Sequence, residues 1–404
     1  MKFREQPFVP MIFGGDINTY SVARAFYEEY GVKCHTFGKY PTGPSKDSFI
    51  IDYTADERID RDEYFLFTVR DFCRKHQDKK VILVGCGDSY VALIAKHKKE
   101  FPENAIAAYI DFELMDSLQQ KERFYALCDE YGIDHPATHV FKCGDSYDVK
   151  LPWEFPVVLK PSDCIGYWEH PFEGQEKVYI IQSQEELQSV LKQIYDAGYD
   201  DDMIIQDMIP GNDEYMRVLT CYSDHNAQVK MMCLGHVLLE EHTPLGKGNH
   251  ALIITEYEEE LMMQAKKLLE ALHYVGFSNF DIKYDSRDGK FKFFEINTRQ
   301  GRSNYYVTGS GFNIAKYLVE EYVYGRELPF EAAKEEHLWT VVPKGVARTY
   351  VREPQNREKV ERLYKEGKVV NPIFMKGDNH PRRYAHMMKN YLEHYGKFKK
   401  YYNL

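Results

Sequence analysis

Two carboxylates and an amide, Asp281, Glu295 and Asn297, stand in two strand-like runs, FSNFDIKYD and KFKFFEIN, on either side of the turn-rich segment DSRDG. Turn formers between such runs predict an antiparallel hairpin. With Tyr284 paired to Lys290, Asp281 lies opposite Phe293 and Asn279 opposite Glu295. Side chains alternate faces along a strand, so Glu295 and Asn297 point the same way, about 7 Å apart. Asp281 joins them on that face, diagonal to Glu295. An all-oxygen set of this kind suits a hard cation such as Mg²⁺, which keeps waters and substrate phosphates as its other ligands. On spacing alone the same residues also read as a solvated sheet face, with the acids paired to Lys283 and Lys292. The run that follows, NTRQGRSN, favours the metal, because an exposed face needs no glycine loop carrying two arginines.

Cations that suit an anionic ligand lie upstream. Lys121 sits in QQKERFY, and Lys160 ends the apolar strand PVVLKPS. An unpaired ammonium is expensive to bury, so Lys160 needs either an anion or a path to solvent along its own stem. IIQDMIPGNDE then offers an extended backbone fit to meet a base edge, and two acids, Asp213 and Glu214, fit to meet ribose hydroxyls.

These groups need elements to hold them. The first 115 residues read as βα units: the strand FVPMIF, the loop GGDINTY and the helix SVARAFYEEY, then KVILVG, CGDSY and VALIAKHKKE. Strands followed by glycine loops and helices predict a parallel sheet with ligands at its carboxyl edge. Neither loop is GxGxxG, so a dinucleotide fingerprint is absent. From 116, DSLQQKERFYALCDEYGI predicts one helix capped by Asp116 or Ser117, and SQEELQSVLKQIYDAGY another, with Ser183 and Glu186 at capping-box spacing. HPATHVF, FPVVLKPS and DMIIQDMIPG read as strands, EEELMMQAKKLLEALHYVG and NIAKYLVEEYVYG as helices, and residues 335–404 as a less regular tail with a basic end.

The totals narrow the class. A chain of 404 residues with 44% hydrophobic and 28% charged residues is ordinary for a soluble globular protein of two or three domains. No apolar run reaches the roughly 18 residues of a membrane span, and MKFREQPFVPMIF reads as a first strand rather than a signal peptide. A net charge of −11 argues against a general nucleic-acid binder. The eight cysteines are scattered without a CxxC pair, which predicts free thiols rather than a zinc site or disulfide framework.

The order of these features resembles the ATP-grasp superfamily: a helix lysine, a strand lysine, a hinge ending in PG and an acid, then strands bearing D…E-x-N. The likeness to D-alanine–D-alanine ligases runs from about 115 to 325. The chain is more similar to the D-aspartate ligase family, over nearly its whole length, through CGDSY, IIQDMIPG, MRVL, MMCLGH, GFSNFDIKYD and FEINTRQGRSNYYVTG. The resemblance implies an α/β protein: an N-terminal parallel α/β domain (1–115), a two-lobed ATP-grasp fold with a small lid subdomain (116–205) and a catalytic subdomain (206–330), and a basic helical extension (331–404). It also implies that Lys121 and Lys160 hold ATP phosphates and that Gln206, Asp207 and Ile209 form the adenine hinge. Asp213 falls on the ribose acid, and Asp281, Glu295 and Asn297 on the ligands of two Mg²⁺ or Mn²⁺ ions. Two departures stand out. The phosphate lid, expected to be rich in small residues, reads SDCIGYWEHPFEGQ, and the oxyanion arginine of D-alanine ligases is replaced by Asn279. Arg299, Arg302, Arg217 and Lys230, in that order, are the substitutes.

The activity implied is cytoplasmic, ATP-dependent amide formation through an acyl phosphate. D-aspartate is the donor and the lysine amine of a UDP-muramoyl pentapeptide the acceptor. Residues 165–180 would close over the site, and the basic C-terminal end would meet the acceptor's diphosphate or an anionic membrane face. Asp16 and Asp88 would take the donor's ammonium. Three other readings stay open: an ATP-grasp ligase with another donor or acceptor, a nucleotide-binding protein without turnover, and a phosphoryl transferase acting on a hydroxyl.

Overall fold

The computed structural model describes residues 2–162, 164–244 and 246–402, without the side chains of Cys164 and Ile165. Asp163, in the segment expected to form the phosphate lid, and the thiol of Cys164 therefore lie outside the described residues. The other seven cysteines are free thiols. The chain forms two compact units. One comprises Met1–Asp116, Asn212–Ile282 and Ile296–Leu404, and the other Ser117–Gly211 with Lys283–Glu295.

The first unit opens with the expected parallel sheet, in the order Ile51–Ala55, Cys34–Gly38, Phe8–Phe13, Lys80–Gly85 and Ala105–Ile106. Every residue of Phe8–Phe13 is buried, as a central parallel strand covered on both faces requires. The helices after the two glycine loops start earlier than the sequence reading placed them. Ile17–Tyr30 begins inside GGDINTY, because the Asp16 carboxylate accepts from the N–H groups of Asn18 (3.1 Å) and Thr19 (3.3 Å) and so caps the helix. Asp88 likewise opens the helix Asp88–His97, as an acid in its first turn.

The larger, mostly antiparallel sheet runs Lys290–Asn297, Gly276–Asp285, Met216–Ser223, Val229–Glu240, His250–Glu256, Leu338–Thr340, Val369–Val370. Its strands Met216–Ser223, Val229–Glu240, His250–Glu256 and Leu338–Thr340 share one apolar core with the N-terminal elements. The tail is more regular than expected. Lys344–Tyr350, Pro354–Glu366 and Pro381–Tyr401 are helices. The last buries Arg383, Met387, His394 and Phe398. Arg383 is thereby withdrawn from the basic face; its guanidinium donates to the carbonyls of Pro44, Asp378 and Ile373. No helix among the described residues is long and apolar enough to cross a membrane.

The second unit is built on an antiparallel sheet, Thr138–Phe141, Met203–Asp207, Val157–Pro161, Tyr179–Ile181, over its own apolar core. The single helix expected from 116 is two, Phe112–Gln119 and Lys121–Tyr131, parted at Gln120 by extended backbone. On one continuous helix Met115 would lie on the side opposite Phe124, and the break lets both be buried. Asp116 is thus interior to a helix rather than at its N-terminal end. The capping box is present with one shift. Ser183 Oγ accepts from Glu186 N (3.3 Å), while the Glu186 carboxylate accepts from Gln182 N (2.7 Å) rather than from the cap residue itself. The segment expected to form the lid folds on itself. Tyr167 is fully buried, with its hydroxyl 3.0 Å from the Glu176 carbonyl and 2.6 Å from the Tyr179 hydroxyl.

Candidate active site

In the second unit the nucleotide candidates are partners of one another. Lys160 points off the half-buried side of Val157–Pro161, diagonal across the ladder from Gln206, and its ammonium donates to the Gln206 amide oxygen. Gln206 is buried and donates to the Tyr125 hydroxyl (2.9 Å) and Thr138 Oγ1 (2.8 Å). Tyr125 passes the chain on to the Phe294 carbonyl (2.8 Å), and burial raises its pKa. One residue further, Glu295 Oε2 lies 2.7 Å from Lys121 Nζ, in a pair whose side chains are 43% and 28% exposed.

The hinge is also held. Asp207 accepts from Arg287 Nη1 (3.0 Å), and its N–H donates to the Ala137 carbonyl (2.9 Å). The Ile209 carbonyl accepts from Lys283 Nζ (2.9 Å), which removes that oxygen from the groups available to an adenine edge.

The metal candidates of the first unit are Asp281 and Asn297. Asn297 Nδ2 lies 3.2 Å from Asp281 Oδ2 and 3.4 Å from the Asn279 carbonyl. The shared face holds, but the register differs from expectation. Pairing Asp281 with Phe293 would leave Asn297 four residues further along, about 13 Å, beyond the reach of two short side chains. The donor chemistry suits Mg²⁺: a carboxylate and an amide within one hydrogen bond, and Glu295 two residues from Asn297 on the same strand. Among the described residues no group of three or more His, Cys, Asp or Glu is placed to hold a metal ion.

The run TRQGRSN is stitched to the carboxyl edge of the parallel sheet. Arg299 meets Asp88 with Nε (2.6 Å) and Nη2 (3.1 Å) and donates to Asn297 Oδ1 (3.4 Å). Burial works against its charge, and Asp88 and Asp281 more than restore it. Asp88 is thus Arg299's counter-ion, and Asp16 a helix cap. Gln300 donates to the Gly85 carbonyl (2.9 Å), Asn304 to Asn18 Oδ1 (2.8 Å), and Asn18 to the Cys86 carbonyl (3.3 Å). A Cβ on Gly301 would stand 2.5 Å from Asn279 Oδ1, so only glycine fits this approach. Sequence pattern does not single out Asn18, Gln300 and Asn304, which make these contacts. The available signal was the density of amides in loops flanked by buried strands.

The other candidates separate. Arg217 pairs with Glu256 and donates to the Glu214 (3.2 Å) and Met216 (3.0 Å) carbonyls. Lys230 lies 3.3 Å from Asp224. The register Arg217↔His236 puts Lys230 at the far end of the strand pair, roughly 20 Å away, so one oxyanion does not take both. Arg302 is half-buried beside Ser303. Asp213 accepts from Glu240 N (2.9 Å) and His242 Nε2 (3.0 Å), the bond that chiefly raises the His242 pKa. Glu214 accepts from Glu353 N (3.1 Å) and Asn356 Nδ2 (2.6 Å) at the start of Pro354–Glu366. Both acids are buried and tie elements of their own unit together.

No family model matches the chain. It is 38% identical over 413 residues to a D-aspartate ligase of Enterococcus faecium, covering 99% of this chain and 98% of that protein. Solved structures of similar fold include an L-amino acid ligase from Bacillus licheniformis, with TM-score 0.54 and 14% identity over 79% of this chain and 74% of that one. Another is the biotin carboxylase domain of Hydrogenobacter thermophilus 2-oxoglutarate carboxylase, solved with MgADP and bicarbonate. It has TM-score 0.58 and 14% identity over 81% of this chain and 72% of that one. These neighbours are ATP-grasp proteins, and the mixed α/β fold of this chain is theirs.

Proposed function

This chain belongs to the D-aspartate ligase family of ATP-dependent carbon–nitrogen ligases, and from that premise we propose that it joins D-aspartate to the lysine side-chain amine of a UDP-muramoyl pentapeptide. The end-to-end similarity to D-aspartate ligase carries this reading. The donor set Asp281, Glu295, Asn297 and the lysines Lys121 and Lys160 support it.

A carboxylate does not acylate an amine at neutral pH, because its oxygen leaves poorly. Transfer of the γ-phosphoryl group of ATP to that oxygen gives an acyl phosphate and ADP. The amine then attacks the carbonyl carbon, phosphate departs with the C–O electron pair, and the amine proton passes to base. The chain's task is positioning and charge neutralisation. Lys121 and Lys160 exchange Glu295 and Gln206 for phosphate oxygens, which frees Glu295 as a ligand. Gln206, Asp207 and Ile209 flank the base. Mg²⁺, held by Asp281, Glu295 and Asn297 as one or two ions with Mn²⁺ as a substitute, would neutralise the β- and γ-phosphate oxygens. Arg299, fixed by Asp88, faces the developing oxyanion, and a closing segment keeps water from the acyl phosphate. A nucleotide-linked acceptor and ATP as co-substrates support a cytoplasmic reaction. The exposed cations of Pro381–Tyr401 suit the acceptor's diphosphate or an anionic membrane face.

Purified protein with Mg-ATP and hydroxylamine should form a hydroxamate with D-aspartate and release ADP. ATP binding without hydroxamate from any D- or L-amino acid would overturn the ligase reading. ADP release that depends on a hydroxyl compound instead would identify a phosphoryl transferase.

A further inference from the structure

At the carboxyl edge of the parallel sheet, the loop after the strand Cys34–Gly38 holds up an open aromatic ring. Tyr40 is 65% exposed, more than any other large hydrophobic side chain among the described residues. A single exposed ring on a loose loop needs no explanation. The backbone under this one is fixed. The Gly15 carbonyl accepts from Thr42 N (2.9 Å) and Thr42 Oγ1 (3.0 Å), and the Asp16 carbonyl accepts from Ser45 Oγ (3.1 Å). A Cβ on Gly15 would stand 2.5 Å from the Tyr40 carbonyl oxygen and 2.9 Å from the Tyr53 hydroxyl, so only glycine lets the loop lie this close to the turn after Phe8–Phe13. Tyr53 in turn donates to the Gly14 carbonyl (3.1 Å). The loop is also tied to the neighbourhood of Arg299. The Lys39 N–H donates to the Tyr90 hydroxyl, and Tyr90 is two residues from Asp88, the counter-ion of Arg299.

We propose that Tyr40 is the platform on which the peptide stem of the acceptor packs, beside the lysine whose amine is acylated. This rests on the ligase reading. A ring on a fixed backbone offers a large amphipathic contact at little cost in ordering, which is what a flexible peptide needs from its site. The donor is not its partner: aspartate has a single methylene and otherwise charged groups, with little apolar surface for a ring to cover. A peptide brings side-chain and backbone carbons on both sides of the reacting lysine. The nucleotide is not its partner either. The lysine's neighbours lie about 3.5 Å of chain away per residue, whereas the nucleotide stands at the far end of the acceptor, beyond the muramoyl sugar. The tie through Tyr90 to Asp88 keeps the Tyr40 loop next to Arg299, within the shorter of those two reaches.

The test is steady-state ADP release by the full chain with Mg-ATP and D-aspartate, comparing the UDP-muramoyl pentapeptide with hydroxylamine, an amine that has no peptide stem. Tyr40→Ala should raise KM for the pentapeptide acceptor by about 10-fold, with a much smaller change in kcat. With hydroxylamine the same variant should keep KM for D-aspartate within about threefold. Tyr40→Phe keeps the ring and should hold KM for the acceptor within about threefold of the unsubstituted protein. The pentapeptide freed of its nucleotide should compete with the acceptor, and Tyr40→Ala should weaken that competition by the same factor. Thermal melts of both variants should match the unsubstituted protein. An acceptor KM that Tyr40→Ala does not move, a loss shared equally by the hydroxylamine reaction, or a free pentapeptide that does not compete or competes as well against the variant overturns the assignment of Tyr40 and leaves the ligase reading standing. Absence of any amino-acid-dependent ADP release by the unsubstituted protein overturns the ligase reading, and this inference with it.

Discussion

The second unit and the TRQGRSN segment of the first store their charges in different ways. In the second unit the candidate phosphate ligands hold partners of their own: Lys121 forms a partly exposed ion pair with Glu295, and the Lys160 ammonium donates to the Gln206 amide oxygen. A half-exposed ion pair contributes only about 0–1 kcal/mol, so an incoming phosphate and cation displace it cheaply. In TRQGRSN the polar groups are buried and tied to backbone carbonyls or to residues far away in the chain. Such bonds are expensive to break singly, because the abandoned partner stays buried. One region is built to exchange partners and the other to keep them.

Substitutions should therefore separate activity from stability. The largest effect is expected for Glu295→Gln, which should lower kcat by more than about 1,000-fold while shifting stability by less than about 1 kcal/mol. Turnover assays beside thermal melts check both, and retained activity would remove Glu295 from the metal set. Acid should weaken the first unit through its buried histidines. Burial, aided by Arg217, lowers His236 to about 3, and burial with Arg302 lowers His250 to about 4. An unfolded histidine titrates near 6.5 and takes up a proton that the folded one refuses. Stability is thus full above about 6.5 and falls as pH drops, by about 2 kcal/mol per histidine at pH 5. Urea titrations at pH 7 and 5 should show the loss, and His236→Gln should flatten it. A stability independent of pH over that range would show these rings accept protons in the fold.

Gln300→Leu should cost about 1–3 kcal/mol by leaving the Gly85 carbonyl unpaired, and should lower activity only as far as the loop shifts. A loss of activity with full stability would move Gln300 into the reacting machinery. The smallest effect is expected at Arg287, which is 47% exposed between Asp207 and Asp285. Arg287→Ala should cost about 1 kcal/mol, measured by urea titration, because the guanidinium is exposed and the buried Asp285 carboxylate keeps the residue-287 backbone N–H as a partner. A larger change would show that the hinge depends on that clamp.

Much of the fold was readable from local pattern. Apolar runs followed by glycine loops marked the parallel sheet, and alternation placed Asp281 and Asn297 on one face. Helix starts were missed where the capping acid stood inside an apparent loop, as at Asp16. The hairpin register was missed because turn formers bound the loop length without fixing which residues pair.

The sequence alone determined which groups are present and, within each element, which share a face. Periodicity is a property of the local backbone, and a polar run ending a buried strand is visible in one dimension. Only the tertiary structure decided who holds whom. Arg299 meets Asp88, 211 positions away, and Asn304 meets Asn18, 286 away. Asp213, expected at a ribose, is engaged by Glu240 and His242. These pairings depend on how sheets and loops pack across long sequence separations. Short-range preference carries no information about them. It therefore named Arg299 and Asp88 separately, and the packing alone joined them.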